Sequence, residues 1–151
     1  MLNDLLDEEI KNIGATLTTQ TFRNDFNALT VDNTIILSSK LKDTAERNAA
    51  TVHELGHQYT CPVNLLELEP ELQQRFEYLA DRWATLKVMP LEKLVAAFRR
   101  GLRLQDEYCD FLEITVPFFR RGLHIYSTIY GQRTKYQNYT LQFDPFNIKE
   151  L

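Results

Sequence analysis

The chain has 151 residues, 44% of them hydrophobic and 25% charged, with a formal net charge of −4. That length can bury a core, and the acidic balance argues against nonspecific nucleic-acid binding, which needs clustered cations. Two cysteines are too few for a disulfide framework, no apolar run reaches a membrane span, and Met1-Leu2-Asn3-Asp4 lacks the basic start of a signal peptide, so a cytoplasmic protein is expected.

Residues 2–13 suit an amino-terminal helix. Residues 28–31 and 34–37 read as strands joined at Asp32-Asn33, a hairpin-turn pair, and 16–22 can add a third strand. A helix is expected over 43–60, because Asp43 with Glu46 three residues later forms a capping box and Cys61-Pro62 stops the run. Ala45, Ala49, Val52, Gly56 and Tyr59 make its apolar stripe, and Gly56 inside a helix points to close approach by another backbone. The same helix carries His53-Glu54-Leu55-Gly56-His57, an HExxH sequence. A helix repeats every 3.6 residues, so the two imidazoles one turn apart share a face and can reach one metal ion. Glu54 then lies beside the ion, placed as general base for a water that the metal acidifies. Two histidines leave such a site short of a ligand.

Pro70 opens the next expected helix, 70–88, with Leu72, Phe76, Leu79, Trp83 and Leu86 as its apolar repeat and Glu77 and Asp81 one turn apart off that stripe. Further helices are expected at 90–100, 105–112 and 116–130, and no element is assigned to the tail, 131–151. The composite expectation is a single α+β domain, mostly helical, with a small antiparallel sheet ahead of the HExxH helix. Basic residues are local: Arg99, Arg100 and Arg103 end one helix, and Arg120-Arg121 lie in another.

Glu77 stands twenty residues after His57 and is followed four later by Asp81. This E-xxx-D arrangement resembles that of thermolysin-like (gluzincin) peptidases. The resemblance implies that Glu77 is the third ligand and that Asp81 accepts the outer ring N–H of a zinc histidine, His53 in the first instance. Together with Asn33-Thr34-Ile35-Ile36-Leu37-Ser38-Ser39, Glu46-Arg47, Phe76-Glu77-Tyr78-Leu79-Ala80-Asp81-Arg82-Trp83-Ala84, Met89-Pro90-Leu91 and the stretch from Tyr108 to Leu123, the chain resembles the ImmA/IrrE metallo-endopeptidases over roughly residues 30–125. Cys109 and Glu113 stand where that pattern usually has small Ala and Gly, and Gly122 where Arg is common.

The resemblance implies a zincin-like catalytic core over about 1–101 holding Zn2+, with Mn2+ or Fe2+ as other occupants of a His2Glu site, and a helix-turn-helix-like segment over about 104–130. It also implies a helix-turn-helix repressor as protein substrate, whose cleavage relieves repression in a prophage, mobile element or stress regulon. In such peptidases an edge strand beside the active-site helix receives the substrate backbone, and 34–38 is the expected edge. Gluzincins use a downstream His or Tyr on the oxyanion, which makes His124 a candidate, but its apolar neighbours Leu123, Ile125 and Tyr126 favour a packed or surface position over that role. The competing readings are an anti-repressor that sequesters its partner without cutting it, and a DNA-contacting regulator. Glu54 favours the enzyme, since a binder has no need of a general base, and the acidic total charge disfavours direct contact with nucleic acid.

Overall fold

The computed structural model describes residues 2–61 and 64–151. The protein is α+β, with six α-helices and two three-stranded sheets among the described residues. It divides into two compact units, Met1–Ala84 and Thr85–Leu151, each with one of the sheets. No described helix is long and apolar enough to cross a membrane.

In the first unit, α1 (Leu2–Asn12) buries Leu2, Leu6 and Ile10, one stripe of an otherwise polar helix. Strands β1 (Thr16–Gln20), β2 (Ala28–Val31) and β3 (Thr34–Ser38) follow. Asp32, at φ 53°, takes the left-handed conformation that a two-residue hairpin link requires. The sheet is not antiparallel throughout, as expected, but mixed: its order is β1-β3-β2, with β1 parallel to β3 and β2 antiparallel to β3. Thr34–Ser38 is therefore the central strand and not an edge. Its side chains explain the placement. Ile35 and Leu37 are fully buried, whereas every residue of the threonine-rich β1 is exposed, so the most apolar strand takes the middle.

Helix α2 (Thr44–Thr60) begins with the expected capping box: Asp43 Oδ1 accepts the Glu46 amide at 2.8 Å, and Glu46 Oε2 accepts the Asp43 amide at 3.4 Å. At its other end the Cys61 amide donates to the His57 carbonyl, while Pro62, the expected stop, lies outside the described residues. The buried face comprises Asn48, Thr51, Val52, Leu55 and Gly56, turned from the expected stripe. Thr51 can belong to it because its hydroxyl is satisfied locally, donating to the Arg47 carbonyl at 2.7 Å. Helix α3 (Pro70–Val88) departs in the same way: Leu72 and Leu86 are exposed, and its fully buried row is Ala80, Ala84 and Val88. Small residues face inward because the helices touch backbone to backbone. A Cβ on Gly56 would lie 2.5 Å from the Ala80 carbonyl oxygen.

The second unit continues from the last turn of α3 into α4 (Leu91–Arg99), α5 (Gln105–Leu112) and α6 (Val116–Tyr130). A three-residue link joins α5 to α6. Glu113 caps α5 in the left-handed conformation, φ 61°, which costs a non-glycine residue about 1 kcal/mol of backbone strain. Residues 133–150, left without an element by the sequence, form an antiparallel meander of β4 (Arg133–Tyr136), β5 (Tyr139–Phe143) and β6 (Phe146–Glu150). Tyr139, Leu141 and Phe143 alternate inward along β5. Aromatic packing binds this unit: Phe146 meets Tyr108 and Phe119 edge-on at 5.0 and 5.4 Å, and Tyr126 stacks on Phe143 at 5.3 Å.

Candidate metal centre

The contact between Gly56 and Ala80 sets the site. His53 and His57 stand at offsets −3 and +1 from Gly56, and Glu77 and Asp81 at the same offsets from Ala80. Residues so spaced flank the contact on each helix, so the two histidines on α2 meet the two carboxylates on α3.

His53 Nε2 and His57 Nε2 lie 3.0 Å apart, His53 Nε2 is 3.1 Å from Glu77 Oε2, and His57 Nε2 is 3.3 Å from Glu77 Oε1. Ligand atoms at zinc-ligand distances on a tetrahedron are separated by about 3.3 Å. The two imidazole nitrogens are near that spacing and each has a different Glu77 oxygen beside it, so one ligand atom from each of His53, His57 and Glu77 lies within 4.8 Å of the others, and among the described residues these three form the one group of this kind. On its outer side, His53 Nδ1 is 2.9 Å from Asp81 Oδ1. That bond selects the tautomer with the proton on Nδ1 and turns the Nε2 lone pair inward. His57 Nδ1 is buried with no partner, so that ring's polar contacts all lie on the Nε2 side.

Electrostatics favour the same occupant. Burial works against a charged His53, but its hydrogen bonds to Asp81 and Glu77 prevail and raise its pKa to about 10. Hydrogen bonds from His53 and then His57 hold the Glu77 carboxyl well below the usual carboxylate range. Such a cluster binds positive charge strongly, whether as protons or as a metal ion. The side chain of Glu77 is 44% exposed and that of His57 only 15%, so the group is buried at the helix contact and open at the glutamate.

The fourth residue of the motif, Glu54, is oriented by a group that motif reading did not identify. Thr30 Oγ1, on β2, donates to Glu54 Oε2 at 2.6 Å. Register explains the contact: Thr30 pairs with Ile35 across the ladder, and directly opposed residues share a face. That face includes the fully buried Ile35 and Leu37, and α2 packs against both β2 and β3. The alternation of Ala28 to Val31 limits Thr30 to one of two faces, but the side that α2 covers is a tertiary fact.

Of the residues singled out in the sequence, His53, His57, Glu77 and Asp81 come together in the first unit, and Glu54, next to His53 in the chain, is bonded to Thr30. His124 is exposed on α6 in the second unit, its carbonyl accepting the Ser127 hydroxyl, and is not part of this group. Neither Cys61 nor Cys109 is in a disulfide; they are half-buried and buried respectively. No description of a known family and no curated protein matches the chain.

Proposed function

We propose that this protein is a zinc-dependent endopeptidase with a zincin-like core, acting in the cytoplasm on a helix-turn-helix repressor and so relieving repression. The observation that carries the reading is the convergence of His53 Nε2, His57 Nε2 and Glu77 within 3.0–3.3 Å of one another, with a carboxylate, Glu54, beside them on the same helix. The donor set suits Zn2+ and is compatible with Mn2+ or Fe2+. Bound there, the ion would lower the pKa of a water and polarise the scissile carbonyl. Glu54 takes a proton from the water that attacks the carbonyl carbon and passes it to the leaving nitrogen as the C–N bond breaks, which regenerates the carboxylate. Asp81 keeps His53 in the tautomer that presents Nε2 inward.

The repressor as substrate rests on the resemblance to ImmA/IrrE peptidases. A folded protein offers a peptidase only a linker, a loop or a frayed end, and a repressor joining DNA-binding and dimerisation domains contains such a linker. The test is to load the purified protein with zinc, determine its stoichiometry by elemental analysis, and digest both a proteome-derived peptide library and the repressor encoded nearest its gene. Mass spectrometry should find discrete cuts with wild type and none with Glu54→Gln, which should still bind about one zinc. Equal cutting by the variant would refute the mechanism. Relief of repression by both proteins without any fragment would make the protein a sequestering anti-repressor.

A further inference from the structure

We infer that Thr30 is a positioning residue for the peptidase reaction: its hydroxyl holds Glu54 so that one carboxylate oxygen stays aimed at the proton it must accept. The inference rests on the reading under Proposed function. Its observation is separate from the metal ligands: the 2.6 Å bond from Thr30 Oγ1 to Glu54 Oε2, between an edge strand and the HExxH helix.

A glutamate on a helix surface has several rotatable bonds and samples many rotamers. A general base must instead lie within hydrogen-bond reach of its proton donor, about 2.6–3.2 Å between heavy atoms. Thr30 is suited to impose that order. Its branched Cβ makes χ1 stiff, and the β2–β3 ladder fixes its backbone, so the hydroxyl points in a direction set by the sheet and not by α2. The bond length belongs to the short class made by a hydroxyl to a carboxylate. Only Oε2 is engaged, and among the described residues Oε1 makes no hydrogen bond, which leaves it available to the substrate water. A chance surface bond between Thr and Glu would need no particular register. Here a one-residue slip of β2 against β3 would carry Thr30 to the other face.

The experiment compares Thr30→Val, which keeps the shape and removes the hydroxyl, with Thr30→Ser, which keeps the hydroxyl. A fluorogenic peptide built on a cut site found in the library supplies kcat and KM. Thr30→Val should lower kcat about 10-fold or more with KM within about 2-fold of wild type, and Thr30→Ser should recover kcat to within about 3-fold. Zinc affinity should be unchanged in both, since neither touches a ligand. A urea-denaturation cycle pairing Thr30→Val with Glu54→Ala reports the contact without using activity, and it should be non-additive.

If Thr30→Val turns over like wild type while Glu54→Gln is inactive, positioning is overturned and the peptidase reading stands. A change confined to KM would make Thr30 a substrate contact and overturn positioning. An additive stability cycle would remove the contact itself. If the wild type cuts nothing, the peptidase reading fails and Thr30 loses its role with it, even where the cycle is non-additive.

Discussion

Each unit contains a glycine pressed against a neighbour, and the neighbours differ. Gly56 in the first unit faces the backbone of Ala80, whose carbonyl oxygen lies 2.5 Å from where a Cβ on the glycine would be, whereas Gly122 in the second faces the flexible end of Met89. The first contact admits no side chain without parting α2 from α3, and the imidazoles and carboxylates are mounted directly beside it. The second lies in a unit held by aromatic stacking, where Tyr126 also donates its hydroxyl to the Met89 carbonyl at 2.8 Å. Close packing thus serves two ends: in one unit it fixes distances between polar groups, in the other it fills space.

The largest expected effect lies in the ligand set. Glu77→Ala should reduce zinc affinity by more than the roughly 10- to 100-fold expected for Asp81→Asn, which disturbs only the outer partner of His53. Competition titration with a chelating dye measures both, and equal affinities across the three proteins would dissolve the distinction between the units.

The glycines themselves test it next. Gly56→Ala should destabilise by about 2–3 kcal/mol even after the better helix propensity of alanine is counted, and should also weaken zinc binding. Gly122→Ala should change stability by about 1 kcal/mol or less, because Met89 can move aside, and should leave zinc binding intact. Urea denaturation and zinc titration report both quantities. The comparison is reversed if Gly122→Ala proves the costlier.

The smallest effect concerns Tyr59, whose ring stacks on Trp83 at 4.7 Å and whose hydroxyl donates to Glu9 at 2.5 Å. That hydrogen bond chiefly raises its pKa to about 12. The folded value lies above the unfolded one of about 10, so the contribution to stability is complete below pH ~10 and fades as pH rises toward 12. Tyr59 is substantially exposed, so the effect is small. Subtracting the ultraviolet titration of Tyr59→Phe from that of wild type should leave one tyrosine ionising near 12, and ionisation near 10 would break the link between α1 and α2.

Much of the site was legible in the sequence because its signals are local or nearly so. Asp43 and Glu46 mark the start of α2 within a single turn, HExxH places two rings on one face by helical period alone, and the same spacing puts Glu77 beside Asp81 on α3. Reading the buried stripes failed where burial depended on a partner. Leu72 and Leu86 suggested the inward face of α3, but the buried row is Ala80, Ala84 and Val88, with the Ala80 backbone against Gly56 of α2. The meander at 133–150 was missed although β5 alternates in the proper period, because five-residue strands carry a weak signal and gain their stability from one another.

By itself, then, the sequence determined the helices, their caps and the identities of the residues that share a face, since those follow from covalent geometry and interactions three or four residues apart. Tertiary structure alone decided that β3 runs between β1 and β2, that β2 is an edge, and that Thr30 meets Glu54. Strand order and facing depend on which surfaces compete for burial across the whole unit, and no window of sequence contains both competitors.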